Sequence, residues 1–471
     1  MTGPRNVFDE ARAAAASLGV LRGVLDDDVG RLWLELVEGL AAPSPDPSRL
    51  AASYGRLFAA LASEIELANE PPAGDAWQHH LLRRLLDDEN PFSRKAERVP
   101  VSAIGPALLA QTRADLSALQ RCSRIEGSQL ARAVGRVTGT DLVVWEGFRA
   151  LEPSGGRSAR RAMMARFAAS RDWGALVRDL AAYFAANGVG IFARYRALRW
   201  VHRGDGDGYL EGVPTPDPVR LSDLVGYDLE RRPVLDNTRQ FVAGLPANNV
   251  LLYGDRGTGK SSTVKALLSE FHTEGLRLIE VSKEHLGAYS KIIAPLVGRR
   301  ERFILFVDDL SFEEHETQYK ALKAALEGSL EPRPDNVVLY ATSNRRHLVR
   351  ERFSDRRGPA ADGDDDVHIE ETVQEKLSLA DRFGIHVPFL LPDQDRYLEI
   401  AEKLAARYGI GLPADEVRRR ARVWSQWHNG QSCRTARQFV DALRGEIALA
   451  SEDGDRSRAP RKARGRRLGR R

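Results

Sequence analysis

The chain has 471 residues, which is room for two or three domains with separate cores. It is 42% hydrophobic and 29% charged, with no run of about 18 apolar residues that would span a membrane. The opening stretch "MTGPRNVFDEARAAAASLG" lacks the basic-then-apolar order of a secretory signal, so a cytoplasmic protein is expected. Cys122 and Cys433 lie far apart and suggest neither a disulfide framework nor a zinc site. The net charge of +4 is uneven: residues 456–471, "RSRAPRKARGRRLGRR", hold nine Lys or Arg and no acid, leaving a mildly acidic body.

Residues 1–202 read as an all-helical N-terminal domain. The stretches 26–42, 56–70 and 172–188 repeat apolar residues at spacings of three and four. No catalytic motif occurs there. His79 and His80 are neighbours, and neighbours on a helix point in different directions, so packing or surface placement is expected rather than a metal site. Residues 203–219, "RGDGDGYLEGVPTPDPV", read as a linker because Gly, Asp and Pro concentrate there.

Beyond the linker, short apolar strands alternate with helices. Strands are expected at 249–253, 276–281, 303–308 and 337–342, and helices at 260–271 and 317–327. This rhythm predicts an α/β core over 220–393, a parallel sheet sandwiched by helices. Residues 354–368 read as a mobile loop. A helical lid is expected over 394–450 and a disordered basic tail over 451–471, where nucleic acid could bind.

Within the core, "GDRGTGKS" fits the phosphate-binding pattern G-x-x-x-x-G-K-[ST] in full. Gly254, Asp255, Arg256, Gly257, Thr258 and Gly259 form the turn whose backbone N–H groups can face an anion, and the following helix adds its positive end. Lys260 reaches for β- and γ-phosphates, Ser261 offers a hydroxyl to Mg²⁺, and Ser262 continues the first helical turn. The strand "RFILFVDDL" then ends in two carboxylates. Asp308 suits a metal ligand, and Asp309 suits the group that orients or activates the attacking water.

Together these motifs resemble the AAA+ ATPases over residues 221–443. The resemblance implies ATP and Mg²⁺ as cofactors, ATP hydrolysis and a homo-oligomeric assembly. It also implies a protein client taken by the helical N-terminal domain. Val225, Gly226 and Tyr227 match the segment that holds adenine, and Asn344 in "VVLYATSNRRHL" matches the group that senses the γ-phosphate. "EKLSLADRFGIHVPF" is similar to the segment of the DnaA initiators that supplies an arginine finger, placing Arg382 in that role. "GQSCRTARQFVDAL" resembles the lid helix that contacts nucleotide through an arginine, which places Arg434 in that role, with Arg437 one turn further along as the competitor. "EGSLEPRPDNVVLYATSNRRHL" and "EKLSLADRFG" resemble an uncharacterised bacterial family of P-loop ATP-binding proteins known only as a domain of unknown function. Many AAA+ members carry Glu where Asp309 stands, which puts rapid turnover in doubt; Glu313 or Glu314 could substitute as the base, although nothing in their spacing demands it. The expected function is ATP-driven remodelling or loading of a macromolecular partner. An ATP-gated nucleic-acid-binding switch with slow or no hydrolysis is the alternative, and a metabolite kinase ranks behind both.

Overall fold

The structure, a computed structural model, describes residues 7–68, 71–151, 158–204, 207–311, 333–344, 382–428 and 430–458. The expected helix at 317–327, the loop 354–368 and residues 459–471 of the tail lie outside them. The chain divides into two compact units, one of residues 1–195 with 299–301, the other of residues 196–298 with 302–471.

The second unit is built on a seven-stranded sheet. Its strands are β1 (Ala197–Gly204), β2 (Asp207–Gly212), β3 (Val250–Gly254), β4 (Leu276–Glu280), β5 (Arg302–Val307), β6 (Val337–Ser343) and β7 (Ile385–Phe389), in the order β2-β1-β4-β5-β6-β3-β7. All neighbours run parallel except β1 and β2. Central strands are buried on both faces: Leu252, Phe306 and Tyr340 join one cluster, and Leu251, Leu305 and Leu339 on the alternate face are buried as well. That double burial explains why these strands read as continuous apolar runs rather than alternating ones. Helix Lys260–Phe271 follows β3 and buries Val264, Leu267, Leu268 and Phe271 in the first cluster. The helical C-terminal region, Gln394–Arg407, Ala414–Trp427 and Cys433–Arg458, packs into the same cluster through Tyr397, Ala421 and Val440.

The four strands expected in the core fall within a residue or two of their observed bounds, and helix 260–271 matches throughout. Two expectations are corrected. Residues 203–219 are not simply a linker: 197–212 form a hairpin, and β1 pairs with β4 at Leu198↔Ile279. The cluster Gly-Asp-Gly-Asp-Gly marks a turn between strands as readily as a linker, and the unit boundary therefore falls after residue 195 rather than 202. The tail expectation also began too early, since the last helix runs to Arg458. A packed helix already nucleated propagates through polar sequence that would not form one alone.

The first unit is all-helical among its described residues, from Val7–Ala16 to Gly190–Arg194. Several helices open on an acid whose side chain accepts backbone N–H bonds: Asp27, Asp46 and Asp75 cap the helices beginning at Asp28, Pro47 and Ala76. Trp33 and Trp77 stack at 4.7 Å in the core. Beside them His80, fully buried, has Nδ1 2.7 Å from Glu64 and Nε2 3.3 Å from Asp27. His79 is turned elsewhere and its Nδ1 accepts from the Ala73 N–H at 3.0 Å. Among the described residues no group of His, Cys, Asp or Glu is arranged to hold a metal.

Burial works against charge on His80 and on both acids. The mutual hydrogen bonds and charges outweigh it, raising His80, lowering Glu64 and holding Asp27 at about 2. A raised histidine stabilises the fold fully below its unfolded value, about 6.5, and that contribution fades as pH climbs through the folded value. The lowered acids contribute above their unfolded values, about 4, and lose this as pH falls. His80→Gln should therefore cost on the order of 3 kcal/mol near pH 5.5 by urea unfolding, because two buried acids lose their shared cation. The cost should shrink above neutrality, and a cost independent of pH would contradict the charged assignment.

Candidate nucleotide site

Parallel strands collect their following loops along one edge of a sheet, and ligands of open α/β folds bind there. The turn after β3, Asp308 and Asp309 after β5, and Asn344 after β6 all emerge at this carboxyl edge. They line a cleft of about 600 Å³ whose other walls are Leu224 and Val225, Ile400 and Leu404, and Arg434.

The glycine-rich turn is shaped by its neighbours. Gly254 has φ 126°, and a Cβ there would lie 2.3 Å from the Phe389 carbonyl oxygen on β7. Gly257 has φ 75°, and a Cβ there would meet Ser432 at 3.0 Å and Arg434 at 3.2 Å. The turn is held from within by the Thr258 hydroxyl on the Asp255 carbonyl at 2.9 Å. It is tied to the segment after β7 by the Asp255 carboxylate, which accepts from the Leu391 N–H at 2.8 Å. Among the described residues the backbone N–H groups of Gly257, Gly259, Lys260 and Ser261 meet no protein acceptor. Such a cradle of open donors at a helix start fits a phosphate chain.

Lys260 is buried. Its Nζ donates to the carbonyls of Gly254 (3.0 Å) and Asp255 (2.6 Å) and to Asn344 Oδ1 (3.1 Å). Burial pushes its ammonium below the ordinary lysine value, with Asp255, Asp309 and Asp308 pulling it back. Asn344 turns its other end to Asp309, donating from Nδ2 to Oδ1 at 2.7 Å. Asp308 is tied differently: its Oδ1 accepts the Ser261 hydroxyl at 2.6 Å and the Thr342 hydroxyl as well. The donor set Ser261–Asp308 is all oxygen, which suits Mg²⁺. Asp309 has φ 54°, a left-handed conformation that Asp tolerates better than most residues. The Thr342 hydroxyl accepts its N–H at 3.0 Å.

Of the expected site residues, Val225, Arg256, Gly257, Thr258, Gly259, Lys260, Ser261, Ser262, Asp308, Asp309, Asn344 and Arg434 share this one cleft. Gly254 and Asp255 support it from behind. Gly226, at φ 77°, backs onto Ile400. Tyr227 is corrected: it is buried, its ring stacks on Phe389 at 5.4 Å with the Arg396 guanidinium 4.2 Å from its centroid, and its hydroxyl donates to the Leu390 carbonyl. It braces the cleft wall instead of facing a base. Arg434 and Arg437 both reach the cleft, but Arg437 pairs with Asp441 at 3.1 Å and lies over Tyr408. Among the described residues the Arg434 guanidinium has no hydrogen-bond or ion-pair partner, while the Arg434 backbone N–H donates to the Gly257 carbonyl at 3.0 Å.

Arg382 is exposed in the turn that precedes β7. Ile385 pairs with Val250 and Phe389 with Gly254, so Arg382 stands at the amino edge, at least about 13 Å along the strand from its own P-loop. Glu313 and Glu314 lie outside the described residues. Thr342 and Cys433 line the cleft without having been singled out. Thr342 was legible only as the residue opposite Asp308 once Val307 pairs with Ala341. Burial holds the Cys433 thiol up at about 11, so it stays protonated at neutral pH.

A turn of open N–H donors between strand and helix, a buried lysine, paired acids two strands away and a helical C-terminal region bordering the cleft together have the arrangement of a P-loop phosphate site. The chain belongs to the family described as Protein of unknown function (DUF815), whose model matches residues 193–447. No curated protein matches it. Among solved structures it is similar to the Thermotoga maritima RuvB Holliday junction branch migration motor, at 16% identity and TM-score 0.34, covering 50% of this chain and 67% of that one. A single-residue variant of that protein gives the same coverage, at 16% identity and TM-score 0.34. No helix among the described residues is long and apolar enough to cross a membrane.

Lys260→Ala removes the one buried cation in the phosphate cradle. ATP affinity in the presence of Mg²⁺, measured by calorimetry, should fall about 100-fold, the worth of a charge-assisted contact near 3 kcal/mol. Unchanged affinity would remove the cleft as the nucleotide site.

Proposed function

We propose that this protein binds ATP with Mg²⁺ in the carboxyl-edge cleft and hydrolyses it in an assembly of several copies. The energy is used to remodel or load a macromolecular partner taken by the helical N-terminal unit. The observation that carries the chemistry is the division of labour between adjacent acids: Asp308 is bound to Ser261, whereas Asp309 is bound to Asn344, which also holds Lys260. Mg²⁺ would neutralise charge on the phosphoryl oxygens, with Ser261 and Asp308 as its protein-side oxygens. Lys260 and the open N–H groups bind the phosphate chain. Asp309 accepts a hydrogen bond from the attacking water and draws its proton, while Asn344 fixes the carboxylate's direction. Leu224, Val225, Ile400 and Leu404 offer apolar walls to the base, and Arg434 extends toward the phosphates.

Arg382 stands too far along β7 to serve its own cleft, so its place in this reading is the cleft of a neighbouring copy. A second reading, an ATP-gated switch with slow hydrolysis, is favoured by the Asn344–Asp309 bond, which must loosen before Asp309 can take a proton.

Asp309→Asn should keep ATP affinity within a few-fold and slow hydrolysis by about 10²–10⁴. If phosphate release is unaffected, the base lies elsewhere, with Glu313 and Glu314 next to be tested. Arg382→Ala and Lys260→Ala subunits, each inactive alone, should regain part of the activity when mixed. Normal turnover by Arg382→Ala protein would leave only the switch reading.

A further inference from the structure

On the far side of the segment that walls the nucleotide cleft lies a second cavity of about 470 Å³, lined by Arg196, Arg220, Ser222, Ser269, Glu270 and His272. Its two arginines stand apart from others in this unit. Arg199 is paired with Glu211, Arg231 with Asp228, Arg396 with Glu230 and Arg407 with Asp223. The guanidinium groups of Arg196 and Arg220 have no hydrogen-bond or ion-pair partner among the described residues. Arg196 is half-buried, and a guanidinium partly out of water with no acceptor favours an anion there.

The backbone fixes both arginines. The Arg196 carbonyl accepts from the Leu278 N–H at 3.1 Å on β4, and the Arg220 N–H donates to Asp223 Oδ2 at 2.7 Å. Ser269 and His272 come from the carboxyl end of helix Lys260–Phe271, an end whose free carbonyls would ordinarily repel an anion. Here the carbonyls of Leu268, Ser269 and His272 have partners. The Leu268 carbonyl accepts from the His272 N–H, and His272 Nδ1 lies 3.3 Å from the Ser269 carbonyl. The His272 carbonyl accepts from the Gly275 N–H at 3.2 Å and from Arg277 at 3.3 Å. Glu270 is exposed, and it is the one acid on the lining. Two planar forks, two hydroxyls and an imidazole around one small cavity match a phosphoryl group, which offers acceptors on every side.

We propose that this cavity is a second anion site, separate from the nucleotide cleft, which binds the phosphoryl group of a small molecule. A small ligand is favoured over a nucleic-acid backbone because half-buried Arg196 sits inside the cavity rather than on an open basic face. The two sites share a wall: Val219, Asp223, Leu224 and Val225 line the nucleotide cleft, and Arg220 and Ser222 line this one. They also share a helix, Lys260 and Ser261 at its start and Ser269 near its end, about 14 Å on.

Pyrophosphate serves as probe, titrated by calorimetry into full-length protein. Because pyrophosphate also suits the P-loop, the titration is run on the Lys260→Ala variant, where one site should remain. Adding Arg220→Ala, a change at an exposed side chain, should weaken that site about tenfold or more, and Arg196→Gln with Arg220→Gln should abolish it. With Lys260 intact, the double Arg variant should still bind ATP, which shows that it is folded. Absence of any pyrophosphate binding in Lys260→Ala protein would overturn the proposal, as would binding indifferent to both arginines. Displacement of pyrophosphate by a 20-nucleotide single-stranded DNA would overturn the small-molecule assignment in favour of a nucleic-acid contact.

Discussion

One carboxylate oxygen holds the working edge of the sheet together. Asp308 Oδ1 accepts hydroxyls from Ser261, on the helix after β3, and from Thr342, at the end of β6, while its own backbone continues β5. Three chain segments remote in sequence therefore converge on a single acceptor. Hydrogen bonds to an ionised acceptor are stronger than neutral ones, so both hydroxyls are held firmly even though Asp308 itself is exposed. The parallel order makes this possible, since each contributing loop leaves the sheet at the same end.

The neighbouring acid is held in a different way. Asp309 adopts a left-handed backbone whose N–H is taken by Thr342, and its carboxylate is taken by Asn344. A conformation of that kind costs about 1–3 kcal/mol and persists only where surroundings over-determine it. The consequence is a sharp divergence of two adjacent carboxylates, one facing the P-loop helix and one facing Asn344 at the end of β6. Lys260 sits between these arrangements, joined to the second through Asn344 and to the first through charge alone.

How much of this was readable from the residues depends on range. The phosphate turn, its lysine and the acidic strand end are local patterns in which the spacing itself carries the geometry, and they fall together in one cleft. Thr342 needs the β5–β6 register before it faces Asp308, and register is not written in either strand alone. Tyr227 was misread because its segment borders the cleft while its ring turns inward onto Phe389. The hairpin of β1 and β2 was hidden because glycine and aspartate punctuate turns and linkers alike. The sequence could not separate Arg434 from Arg437, since only the fold shows Asp441 and Tyr408 engaging the latter.

Gly254 illustrates how a motif can mix two kinds of constraint. It belongs to the phosphate-binding pattern, yet the atom that forbids any side chain there is the Phe389 carbonyl oxygen on the adjacent strand, whose neighbouring carbonyl carbon lies 2.8 Å from the added Cβ. Sheet assembly, rather than ligand, sets that requirement. A descendant of this chain that had abandoned nucleotide would still have to keep glycine at 254 as long as β3 and β7 stayed paired. Within the motif, then, retention of its first glycine records the survival of the architecture, and only the lysine six positions later records the survival of the chemistry.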